Sequence, residues 1–271
     1  MLSRLIANRE SSRVVYGRAW REARDKVLGM IDNGYQLITI VGRPGSGKTH
    51  IALNICESIR QNWLCLYTDA STLQGRDLRH LVYGAIRDSW GEVDRLRSMV
   101  KDRAVKAAKR FIKARYDELL RSAFEYPVEA ITLMHDLSNE VGLRGVVLTI
   151  DEGALSQDDE SMWQYTSALH ALRNIAPKLG GLRVISTMLP DVVDRIAKID
   201  PPLFEILLLG IVNLPDYVTA EDAKEVLGES LTQMLAEVIE QVPLTMRQLI
   251  CISAFRDLAK CGISGVEVHV E

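Results

Sequence analysis

No apolar run in the 271 residues reaches the ~18 needed for a helix to cross a bilayer, so no membrane partner is expected. The apolar part of the opening stretch, Met1-Leu-Ser-Arg-Leu-Ile-Ala-Asn-Arg9, is too short for a secretory signal. Charge is balanced: 33 Lys and Arg against 36 Asp and Glu give a net charge of −3. The chain as a whole is therefore not drawn to nucleic acid, which leaves only a local basic patch open. Cysteine is scarce. Cys56, Cys65, Cys251 and Cys261 are scattered without metal-ligand pairing, and the first three sit among apolar neighbours. Buried free thiols in a reducing compartment are expected, hence a cytoplasmic protein. There is no internal repeat, low-complexity tract or flexible linker. What remains is ordinary for a globular chain, with 47% hydrophobic and 25% charged residues. The length suits one large α/β domain, alone or with a small second one.

Hydrophobic periodicity divides this material into elements. Residues 17–31 space Trp20, Ala23, Val27, Leu28 and Ile31 at helical intervals, and Gly34 follows as a stop. Leu37–Val41 is short, apolar and β-branched, a buried strand, and Lys48–Ile59 reads as a helix. Trp63–Tyr67 is a second strand, ending at Thr68-Asp69, and residues 76–140 hold no good strand. Val146–Ile150 and Leu182–Ile185 supply the third and fourth strands, and Phe204–Leu214, interrupted by Gly210, the fifth. Helical patterns between the strands imply parallel crossovers and a sheet covered on both faces. After Pro215 the strand signals vanish. Thr219 caps a helix ending near Gly228, a second runs from about Ser230 to Gln241, and Thr245-Met-Arg-Gln248 is a capping box opening a third that stops near Gly262. The expected fold is α/β: a parallel five-stranded sheet flanked by helices over residues 1–214, with a helical insertion at about 88–140. A small all-helical domain fills 215–271, where Val266–Val270 alternates like a strand.

Gly42-Arg-Pro-Gly-Ser-Gly-Lys-Thr49 matches G-x-x-x-x-G-K-[ST] in full, between a strand and a helix. Glycines let the backbone curl so that successive N–H groups face phosphate oxygens, and the following helix aims its N-terminus at the same anion. Gly42, Pro44, Gly45, Ser46, Gly47, Lys48, Thr49 and His50 are accordingly the expected ATP-binding residues. Lys48 adds charge at the β and γ phosphates, and the Thr49 hydroxyl is a Mg²⁺ ligand. Val146-Val-Leu-Thr-Ile-Asp-Glu152 offers the second metal contact in Asp151 and, in Glu152, a base to orient and deprotonate water.

With these motifs in this order, the chain resembles an AAA+ ATPase from Val15 to about Gly262. The resemblance implies a polar sensor at the end of the strand after Asp151-Glu152, where Thr187 stands with Ser186 beside it; hydroxyls capping a loop are the plain alternative. It implies an arginine finger reaching a neighbouring subunit, for which Arg195 is the candidate, against a solvated helix-face arginine. The helical domain after Pro215 is similar to the AAA+ lid, whose second sensor arginine matches Arg247. An arginine is poorly placed for the dipole at a helix start, which hints that function holds it there. Val15-Tyr-Gly-Arg18 is similar to the segment that packs on adenine, making Val15 and Tyr16 base-pocket candidates, with packing of the first helix as the alternative.

Tyr16-Gly17-Arg18, Leu189–Ile196 and Leu214–Val218 lean toward the initiator-like clade, which includes origin-recognition and related archaeal ATPases. Against it, the chain stops too soon for the winged-helix domain usual there, and Gly153-Ala154-Leu155 follow Asp151-Glu152 where initiators are often more polar. Between Arg95 and Arg115 stand nine basic residues and one acid, Asp102. Leu96, Val100, Ala104, Ala107, Phe111 and Leu119 form an apolar stripe on the same stretch. This reads either as an amphipathic helix tracking a phosphate backbone through Lys106, Lys109, Arg110 and Lys113, or as a solvated face. The resulting expectation is an oligomeric ATP hydrolase using Mg²⁺, DNA-associated, of initiator, loader or transposition-regulator type, with a replication or recombination protein as a possible partner. The alternative is a signalling or defence switch that does not touch DNA. A metabolic kinase is disfavoured, since no acceptor site is evident.

Overall fold

The computed structural model describes residues 14–102, 108–153 and 158–263. Five parallel strands form one sheet: β1 (Leu37–Val41), β2 (Leu64–Asp69), β3 (Val146–Asp151), β4 (Leu182–Met188) and β5 (Ile211–Asn213). Their spatial order is β2-β3-β4-β1-β5, so the strand fourth in sequence lies between the first and the third. Val41 pairs with Met188, Ile150 with Ser186, and Asp69 with Asp151, which brings all these strand ends to one edge. β1 and β3 are buried along their whole length. That is what apolar runs without alternation require when helices cover both sheet faces.

On one face pack α1 (Arg18–Asp32) and α2 (Lys48–Ile59). On the other lie α3 (Leu78–Asp88), α4 (Trp90–Asp102), α5 (Lys109–Lys113), α6 (Tyr116–Glu125), α7 (Pro127–Glu140) and α8 (Asp159–Leu179) with α9 (Pro190–Ile199) and α10 (Pro201–Leu209). Asp77 caps α3 by accepting the His80 N–H, and Asp158 caps α8 by accepting that of Glu160. The C-terminal helices α11 (Ala220–Leu227), α12 (Glu229–Met234), α13 (Ala236–Gln241) and α14 (Met246–Phe255) hold a small cluster of their own, including Leu235, Leu244 and Ile252. Met246 and Leu249 join the core beneath α1 instead. None of the described helices is long and apolar enough to cross a membrane.

Several sequence expectations change. The apolar run Phe204–Leu214 is not one strand: its first part belongs to α10, and only Ile211–Asn213 is strand. Asp200 accepts the Leu203 N–H at 3.0 Å, and Pro201 and Pro202 occupy the first helical turn, where a missing N–H costs nothing. Gly210 then passes so close to β1 that a Cβ would lie 2.1 Å from the Leu37 carbonyl oxygen. The helix expected over 230–241 breaks at Leu235, and α14 ends at Phe255, short of Gly262. The four cysteines are not free thiols: Cys56 bridges Cys65, tying α2 to β2, and Cys251 bridges Cys261. That removes the argument for a reducing compartment. The alternating tail at Val266–Val270 lies outside the described residues.

Candidate functional site

The phosphate loop leaves the end of β1 and turns into α2. Gly45 and Gly47 have φ of 85° and 93°, values that side-chain-bearing residues rarely adopt, so these two positions need glycine. Gly42 is needed for space, because a Cβ there would stand 2.4 Å from the Ser46 hydroxyl. The Lys48 ammonium is folded back over the loop, donating to the Gly42 carbonyl at 2.7 Å and the Arg43 carbonyl at 3.1 Å. Burial lowers its pKa, opposed by the charges of Asp151 and Glu152. The Ser46 hydroxyl is buried and without a hydrogen-bond partner among the described residues. Pro44 is exposed, and the His50 ring lies 2.7 Å from the Val14 carbonyl. A curled loop, a buried hydroxyl without a partner among the described residues, an ammonium bonded to the loop's own carbonyls and a helix without acids in its first turn suit a polyphosphate.

Asp151 faces this loop from β3, only 2% exposed. One carboxylate oxygen accepts the Thr187 hydroxyl, and the other accepts Tyr67 Oη–H at 3.0 Å. Burial raises its pKa, while hydrogen bonds from Thr187, Thr49 and Tyr67 pull it down. The contact between the Thr49 hydroxyl and the Asp151 carboxylate joins the two expected Mg²⁺ ligands, and hard oxygen donors of this kind suit that cation. Glu152 has φ of 50°, a left-handed conformation uncommon for a non-glycine residue. Its N–H is held by Thr187 Oγ at 3.0 Å. Its carboxyl pKa is raised, first by desolvation, then by the charges of Asp151 and Asp69, against the lowering influence of Lys48 and Arg247. Thr187 thus stands between the two acidic residues as a bridge, because β4 is inserted between β1 and β3. Ser186 instead lies 3.2 Å from the Thr39 hydroxyl, inside the sheet.

The C-terminal helices touch the loop directly. Thr245 caps α14, and the Arg247 N–H donates to the Gly45 carbonyl at 3.1 Å. The Arg247 side chain is exposed, and its charge acts on both Lys48 and Glu152. Arg195, on α9, is ion-paired with Asp159 at the start of α8. Val15 is buried in the apolar cluster with Trp20, Ala223, Met246 and Leu249, whereas Tyr16 is exposed.

Of the basic stretch, the described residues belong to α4, as far as Asp102, and to α5, from Lys109. Lys106, Ala104 and Ala107 lie outside the described residues, as does the side chain of Arg110, while Lys109 and Lys113 are exposed. Leu96, Val100, Phe111 and Leu119 are buried as a stripe would require. Among the described residues, Arg95 and Arg97 turn toward backbone carbonyls. Arg95 binds Glu92 and the Trp63 carbonyl, and Arg97 donates to the Ile112 and Ala114 carbonyls over the Trp90 ring. Sequence reasoning missed Tyr67 and Trp20, whose indole N–H donates to the Ser46 carbonyl at 2.6 Å. Both hide in apolar patterns, and only strand register or helix docking reveals their polar ends.

A phosphate loop on β1, carboxylates two strands away on β3, a hydroxyl on β4 between them and a helical cap on the loop give an α/β fold like that of AAA+ proteins. Among the solved structures, seventeen chains match this one. One of them is Cdc6p from Pyrobaculum aerophilum, with a TM-score of 0.51 and 16% identity over 89% of this chain and 62% of that one. The chain thus spans less than two thirds of that protein's length, and the likeness is one of fold. No family model matches the chain, and no curated protein does.

Proposed function

We propose that this chain binds Mg²⁺-ATP at the Gly42–Thr49 loop and hydrolyses it as an oligomeric, DNA-associated AAA+ switch of the initiator-like kind. The observation that carries the reading is the convergence of Lys48, Thr49, Asp151, Glu152 and Thr187 at one sheet edge beneath the C-terminal helices. On binding, Lys48 exchanges the Gly42 and Arg43 carbonyls for phosphate oxygens, and the 42–49 loop supplies N–H donors. Thr49 and Asp151 are the ligands for Mg²⁺, which when bound offsets phosphate charge. Glu152 takes the proton of the attacking water, with its backbone fixed by Thr187. Residues 215–271 act as a lid from which Arg247 reaches the phosphates. Arg195 leaves Asp159 to serve a neighbouring subunit's site, and Val15 and Tyr16 flank the base.

DNA association rests on the exposed Lys109 and Lys113 together with Lys106 and Arg110. The inward turn of Arg95 and Arg97 favours a second reading, a nucleotide switch without DNA. Sizing the protein with ATP, with ADP and with duplex DNA separates them. The first reading expects ATP-dependent assembly and DNA binding whose affinity falls steeply with salt and further on charge reversal at Lys106, Lys109 and Lys113. DNA binding absent at low salt would sink the DNA role.

A further inference from the structure

We infer that Trp20 is a positioning residue of the phosphate loop, coupling the loop's shape to the C-terminal helices; this rests on the nucleotide-binding reading above. Trp20 is 2% exposed on α1, and its indole N–H donates to the Ser46 carbonyl at 2.6 Å. The same ring edge lies under Gly47, where a Cβ would come 3.5 Å from the indole nitrogen. Opposite the loop, a Cβ on Gly17 would stand 2.6 Å from the ring and 2.9 Å from the Asp222 carboxylate of α11, so the indole fills the space between loop and helix. The segment leading into α1 is fastened to α11 as well. The Gly17 N–H donates to Glu225 at 3.1 Å, and Arg21 forms an ion pair with the same carboxylate. Within the core the indole packs in one cluster with Ala223, Met246 and Leu249.

The preceding carbonyl, that of Gly45, accepts the Arg247 N–H at 3.1 Å. Two consecutive loop carbonyls are therefore held by donors that move with the C-terminal helices, Arg247 directly and Trp20 through its packing and the Gly17–Glu225 anchor. A trans peptide points its N–H away from its C=O. Holding the Ser46 carbonyl therefore sets the direction of the Gly47 N–H, one of the amides that would receive phosphate. A displacement of α11 and α14 turns these peptides and changes the loop's affinity for its anion.

The test uses Trp20→Phe, which keeps an aromatic ring and deletes the donor, and Glu225→Ala, which cuts the surface anchor without touching the loop. Amide hydrogen exchange of the nucleotide-free protein is followed by titration with ATP and ADP. Both variants are expected to speed exchange several-fold at residues 43–48 while β1 and most of α1 keep wild-type protection. Trp20→Phe should weaken ATP and ADP binding roughly three- to tenfold, the worth of one net hydrogen bond. Unchanged exchange at 43–48 in both variants overturns the proposal, as does faster exchange spread evenly over the whole fold. Wild-type protein that binds neither nucleotide would sink the nucleotide reading, yet the exchange data would still decide the role of Trp20.

Discussion

At Glu152 three costs meet: a left-handed backbone, a carboxyl under partial desolvation, and two like charges at Asp151 and Asp69. Such strain at a strand end persists where the surroundings enforce it, and here Thr187 holds the N–H. The raised pKa means that the folded protein binds this proton more tightly than the unfolded chain does. Ionised Glu152 therefore costs stability above the ordinary carboxylate range, and the cost disappears as pH falls and both states take up the proton. Glu152→Gln should raise the melting temperature at neutral pH, with the gain shrinking on acidification through the carboxylate range. Melting curves between pH 4 and 8, roughly spanning that range, check this, and a gain that grows toward low pH contradicts it. Much of this residue chemistry was legible beforehand, because Gly42–Thr49 and Asp151-Glu152 are linear motifs. Thr187 needed the family resemblance to be picked out. Its bridge to Asp151, like the Tyr67 hydroxyl, exists only once β4 and β2 flank β3, an adjacency that no local pattern encodes.

Among elements, the parallel sheet was legible because buried strands read as apolar runs bounded by helices. The fifth strand shows where that signal fails. A nine-residue apolar helix and a three-residue strand share one hydrophobic run, and the deciding information was the cap Asp200-Pro201-Pro202 rather than the run. Thr219 and Thr245, by contrast, announced their helix starts: Thr219 caps its helix, and Thr245 forms with Gln248 the capping box that its spacing promised. The Cys251–Cys261 bridge, with a sequence separation of 10, could not be read from residues scattered without a motif. Closing a loop of that size should stabilise the C-terminal helices by about 3 kcal/mol through the unfolded chain. Cys251→Ser with Cys261→Ser should lower the denaturation midpoint by a corresponding amount. A reductant should lower the wild-type midpoint further than that of the double variant, in which the Cys56–Cys65 bridge is left to reduce. A wild-type midpoint indifferent to both changes would remove the bridge from the stability of this region.

For the molecule as a whole, the order β2-β3-β4-β1-β5 decides what the sequence motifs can do together. It sets the phosphate loop, the bridging hydroxyl and the acidic pair side by side, and α14 closes over them through Arg247 and Gly45. The basic stretch illustrates the opposite case. Counting charges promised a uniform face, but tertiary packing turned Arg95 and Arg97 inward, where they bond to carbonyls. Composition alone cannot separate cations that fasten a fold from cations that meet a partner. The central claim, that this arrangement is a hydrolytic ATP site, is tested most directly by single-turnover measurement of Mg²⁺-ATP binding and cleavage in three proteins. Wild type should bind and cleave, Glu152→Gln should bind with near-wild-type affinity and lose cleavage by at least about a hundredfold, and Lys48→Ala should lose binding. Cleavage by Glu152→Gln at the wild-type rate, or no binding by wild type, would contradict it.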